Sequence, residues 1–139
     1  MTGRHVTYCV NACVVARAPQ LLGVFACPSE SLVVEAAMFG LPTGVPVAGC
    51  GPRGSEQAVA NIRAATIPGV PAVLLANHGV LVFHRTPELA IQVGSIVEEA
   101  AQAGINAGSI GGPVEIPEEL RAAAFQRAMV FESRGTAHA

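Results

Sequence analysis

The chain has 139 residues, of which 51% are hydrophobic and 13% charged, and its formal net charge is -2. This length predicts a single domain, residues 1–139, with room for a real core. The near-neutral charge and the lack of a basic patch argue against nucleic acid as a partner, and no polybasic or amphipathic surface segment points to a membrane.

The longest uncharged stretches, such as Ala64 to Asn77, are broken by Pro and Gly and do not read as spanning helices. The first residues lack the basic-then-apolar pattern of a secretory leader, so a cytoplasmic location is expected. The four cysteines, Cys9, Cys13, Cys27 and Cys50, are expected to be reduced and buried. Cys9 and Cys13 share a helical face, but such a pair alone is a weak zinc signal. All eight basic residues are Arg, and the chain has neither Lys nor Asp. Imine chemistry needs a Lys amine and is excluded. Any carboxylate catalyst must be a Glu, and electrophilic activation falls to a metal, Arg, His or the backbone.

In chain order, Val6 to Arg17 reads as a helix or as a strand continuing into one. Leu21 to Ala26 is a candidate buried strand, followed by a turn at Pro28-Ser29-Glu30. Ser31 to Phe39 suits a short helix closed by Gly40 and Pro42. Val45 to Ala48 reads as a strand leading into a Gly- and Pro-rich loop. Ser55 caps a helix that runs through Ala65, with Glu56 near its positive end. Ile67 to Pro71 is a linker. Ala72 to Ala76 and Val80 to Phe83 are apolar runs on either side of Asn77-His78-Gly79, which predicts two buried strands joined by a tight turn. Gly79 is expected to supply the positive φ of that reversal.

Thr86-Pro87-Glu88 starts a long helix. Leu89, Val93, Ile96, Val97 and Ala100 form its stripe, and it is expected to end near Asn106 at the glycines from Gly104 to Gly112. A last helix runs from Leu120 to about Phe131. The hairpin implies antiparallel neighbours, so the expected fold is a layered α/β/α sandwich with a mixed, mainly antiparallel sheet.

Of the four histidines, His138 lies in a polar tail, and His84 is expected to face solvent at the far end of its strand. His78 stands where a buried strand ends, on a rigid platform suited to holding a ligand. A lone His in apolar surroundings more commonly has a structural role, and both readings stay open. Glu30 and Glu35 are the weak carboxylate candidates, against plainer roles as a turn residue and a solvent-facing helix residue. Arg53, between Pro and Gly, is either a loop residue or an anion contact.

The ordered set Val45-Pro46-Val47, Gly54-Ser55-Glu56, Leu74-Leu75-Ala76-Asn77-His78-Gly79 and Thr86-Pro87-Glu88 resembles the class II aldolase/adducin family, as does Glu35-Ala36-Ala37-Met38-Phe39 upstream. The resemblance implies that His78 is a ligand of a divalent metal, zinc first, with no organic cofactor. It aligns His5 with the second His of the family's His-x-His pair, where Tyr8 meets the family Tyr. The pair's first His then falls on Gly3; if His5 is instead the first, Thr7 replaces the second. The family's N-terminal phosphate loop and acid/base Glu have no counterpart here, so the chain is expected to be N-terminally truncated relative to the family.

The resemblance implies a zinc-dependent aldehyde-lyase of carbohydrate metabolism that cleaves a small hydroxy-carbonyl or sugar-phosphate substrate and assembles as a homotetramer. The alternatives are a sugar-phosphate 4-epimerase-like enzyme and a non-catalytic, degenerate adducin-like oligomerisation module.

Overall fold

The computed structural model describes residues 4–8, 36–41, 44–112, 114, 116–123 and 126–127. The elements in chain order are β1 (Arg4–Tyr8), β2 (Val47–Ala48), α1 (Glu56–Ala65), β3 (Ala72–Leu75), β4 (Gly79–His84) and α2 (Pro87–Ser109). Four strands form one sheet in the order β1-β4-β3-β2. The β1–β4 and β3–β4 pairs are antiparallel and the β2–β3 pair is parallel. The sheet is therefore mixed and mainly antiparallel, as the Asn77–Gly79 corner implies.

Alternation along the strands sorts the apolar side chains into two layers. Ala72, Leu74, Val80 and Val82 are buried in one cluster with Ala90, Val93, Ile96, Val97, Ala100 and Ala101 of α2. Each fully buried Val or Leu side chain contributes about 1.5–3 kcal/mol relative to exposure. Val73, pointing the other way from β3, is equally buried yet lies outside that cluster. α1 contacts β2 and β3 but adds no residue to the α2-side cluster, so the two helices cover opposite faces.

Local chemistry explains the element ends. Ser55 Oγ accepts the Ala58 N–H at 3.1 Å and caps α1. Thr86 Oγ1 accepts the Leu89 N–H at 3.3 Å and caps α2. The helical turn at 36–38 closes on Gly40, whose φ is 79. There Leu41 N–H donates to Ala36 O and Gly40 N–H to Ala37 O, the paired bonds of a glycine helix stop.

Several expectations need correction. α2 continues to Ser109, past Asn106. Gly104 is buried within the helix, and Gly111, with φ 109, sits at its stop. Leu89 is only half-buried, while Ala90 takes the core position. Cys50 is free but exposed rather than buried. Cys9, Cys13 and Cys27 lie outside the described residues, as do the strand expected at Leu21 to Ala26 and the end of the last helix. Among the described residues, no helix is long and apolar enough to cross a membrane.

Candidate functional site

β2 and β3 run parallel and end together, and His78 stands just beyond that end. Leu75 pairs with Gly79 across the hairpin, leaving Ala76, Asn77 and His78 as a three-residue turn. The His78 N–H donates to Leu75 O at 2.9 Å and closes the turn. The left-handed residue is Asn77, with φ 58, and not Gly79, which is already a buried strand residue. Asn tolerates this region better than other side-chain-bearing residues. The turn leaves Asn77 and His78 exposed above two buried strands.

A second segment borders the turn. The Ala76 N–H donates to Ala48 O at 3.0 Å, which extends the parallel ladder one step and brings in the loop after β2. Asn61 of α1 clamps that loop, its Nδ2 donating to Gly49 O and to Cys50 O, each at 3.1 Å. Gln57 Nε2 in turn donates to Asn61 Oδ1 at 2.7 Å. Gly51 lies so close to α1 that a Cβ there would meet the Ala58 Cα at 2.8 Å. The loop is thus pressed onto the helix by one amide and one glycine. Arg53 follows in a turn closed by Ser55 N–H donating to Pro52 O, and it is exposed. Asn61 lacked a sequence signal, because its partners lie 11 and 12 residues away. Asn77 had one, since Asn beside Gly is a turn signal whose positive φ either residue can carry.

His5 lies elsewhere on the sheet. In the β1–β4 ladder it pairs with Phe83, five residues along the chain from His78. At about 3.3 Å per residue this is about 16 Å along the strand, so the ladder does not bring the two histidines together. Glu30 and Glu35 lie outside the described residues. His84 is half-buried at the end of β4, and its Nδ1 accepts the Arg85 N–H at 2.9 Å in an exposed contact. Burial, followed by the neighbouring Arg85 charge, holds its imidazole below the usual histidine range.

A catalytic divalent ion of the zinc type needs about three protein donors and an open position. Among the described residues, no three His, Cys or Glu side chains converge. His78 is a single accessible imidazole, so the described residues do not by themselves make up the donor set of such an ion.

Residues 5–105 match the family model described as the class II aldolase and adducin N-terminal domain. No curated protein matches the chain. Among solved structures, it is similar to an L-fuculose 1-phosphate aldolase at 26% identity and a TM-score of 0.65, over 88% of this chain and 54% of that one. It also resembles an aldolase II superfamily protein from Pseudomonas syringae at 23% identity and a TM-score of 0.63, over 90% of this chain and 47% of that one. The chain therefore spans about half the length of these solved relatives. The hairpin that presents His78, the Ser55-capped helix and the Thr86-capped helix all fall inside the matched region, and the chain belongs to the class II aldolase and adducin family.

Proposed function

We propose that this chain is an aldolase-type lyase acting on a small hydroxy-carbonyl substrate, with His78 as the metal-binding side chain of its site. The observation that carries the reading is the position of His78, an exposed imidazole held by a hydrogen-bonded turn at the end of two buried strands inside the family region. The similarity to an L-fuculose 1-phosphate aldolase supports a ketose phosphate as the first substrate to try. The reaction breaks the bond between the enolisable carbon and the hydroxyl-bearing carbon. The hydroxyl proton leaves to a base, the bond electrons remain as an enolate, and the enolate carbon takes up a proton. The chain has no Lys, so this enolate cannot be stabilised as an enamine.

Zinc is the metal proposed for His78, with at least one further donor supplied from outside the described residues. His5 stays a candidate donor from its place in the family motif, although the ladder sets it at the other end of β4. Glu30 and Glu35 are proposed as the proton-moving carboxylates and Arg53 as the anion contact. The proposed protein is cytoplasmic and homo-oligomeric, and residues 1–139 form one domain. Incubating the zinc-replete chain with ketose 1-phosphates tests the activity. The reading expects release of the ketone fragment, lost in His78→Ala. No cleavage of any ketose phosphate by the wild type would sink it.

The separation of His5 from His78 along β4 favours a second reading, a family member that keeps the fold as an assembly module. An epimerase-like activity, built on the same carbon-carbon cleavage, would appear in the same incubation as an epimeric ketose phosphate instead of fragments.

A further inference from the structure

The corner between β4 and α2 holds a titratable contact that the lyase reading does not use. His84 is the last residue of β4, and its Nδ1 accepts the backbone N–H of Arg85. The neutral ring therefore carries its proton on Nε2. The nearest charge that acts on it is positive. Arg85 adjoins it, and the positive end of the α2 dipole begins at Pro87. Glu88 is the one acid in the first turn of α2. Its carboxylate is already engaged by its own backbone N–H and by the Thr86 hydroxyl.

We propose that His84 is an acid-sensitive latch on this corner: protonation at Nδ1 turns the acceptor into a donor, releases the Arg85 N–H and loosens the first turn of α2. The added charge then stands beside Arg85 and a helix N-terminus, both of which oppose it. Burial and Arg85 already hold the imidazole below its usual range, which keeps the latch closed at neutral pH. The sign follows from linkage. The neutral ring is favoured in the folded chain, so its contribution is full above the unfolded histidine value, is lost as pH falls toward the lowered folded value, and stays lost below it. The latch does not depend on whether His78 binds a metal.

Nuclear magnetic resonance of the full chain between pH 7.5 and 5 tests this, following the His84 ring and the exchange protection of the Arg85, Leu89 and Ala90 amides, corrected for intrinsic rates. Protection at Arg85 should fall about fivefold, the equivalent of one ordinary hydrogen bond, with the His84 titration and at a midpoint below the usual histidine value. His84→Asn keeps a side-chain acceptor that does not titrate, so protection should persist to acid pH. His84→Phe removes the acceptor, and protection should be low throughout. A protection step that survives in His84→Asn, a wild-type step tracking a carboxylate and abolished by Glu88→Gln, or a His84 titration without change at Arg85 would each overturn the proposal.

Discussion

Asn77 carries the strained conformation that lets a three-residue turn expose His78. With φ 58 it is the only non-glycine residue with positive φ among those described. A residue bearing an ordinary side chain in this region costs about 1–2 kcal/mol. Asn77→Ala should therefore lower stability by about 1 kcal/mol, measured as a shift in urea midpoint at unchanged slope, whereas Asn77→Gly should be close to neutral. Equal loss in both variants would mean that the Asn77 side chain, and not its backbone angle, holds the turn. The turn itself was legible, because apolar runs flank Asn77-His78-Gly79. Which residue reverses the chain was not. Asn and Gly both tolerate positive φ, and only the pairing of Leu75 with Gly79 makes Gly79 part of the strand.

At the scale of elements, the caps and most of the buried stripe of α2 were legible, and the end of α2 was not. Ser55 and Thr86 are both N-caps with their side chains bonded as expected. Thr86→Ala should cost about 1 kcal/mol, visible as a lower melting temperature. Glu88 adds a pH dependence to the same cap. Its own backbone N–H and the Thr86 hydroxyl hold its carboxylate below the usual range. That contribution is present above the unfolded carboxylate value and is lost as pH falls through the lowered folded value. Glu88→Gln should flatten the acid limb of the stability profile there, and an unchanged limb would rule Glu88 out as its source. The end of α2 was misplaced because glycine was weighed by propensity alone. Gly94 and Gly104 are buried in the helix, so tertiary packing outweighs their local cost. The stop falls at Gly111, where the Gly112 N–H donates to Ala107 O at 2.8 Å.

At the scale of the whole molecule, the order of elements and the layering follow from pattern, whereas strand register does not. The flanking apolar runs say that β4 is half of a buried hairpin, but they carry no information on how β1 slides against it. That sliding puts His5 opposite Phe83 and away from His78. The clamp of Asn61 on the loop after β2 was likewise invisible, because it joins residues that meet only when α1 folds back. What the fold does deliver is one accessible imidazole at the shared end of β2 and β3, in a chain of the class II aldolase and adducin family. The most direct measurement is the metal content of the purified, zinc-replete chain by mass spectrometry, with His78→Ala and His5→Ala alongside. About one divalent ion per wild-type chain is expected, lost in His78→Ala, while His5→Ala reports separately whether His5 also reaches the ion. No stoichiometric metal in the wild type, or the same metal content in His78→Ala, would contradict that expectation.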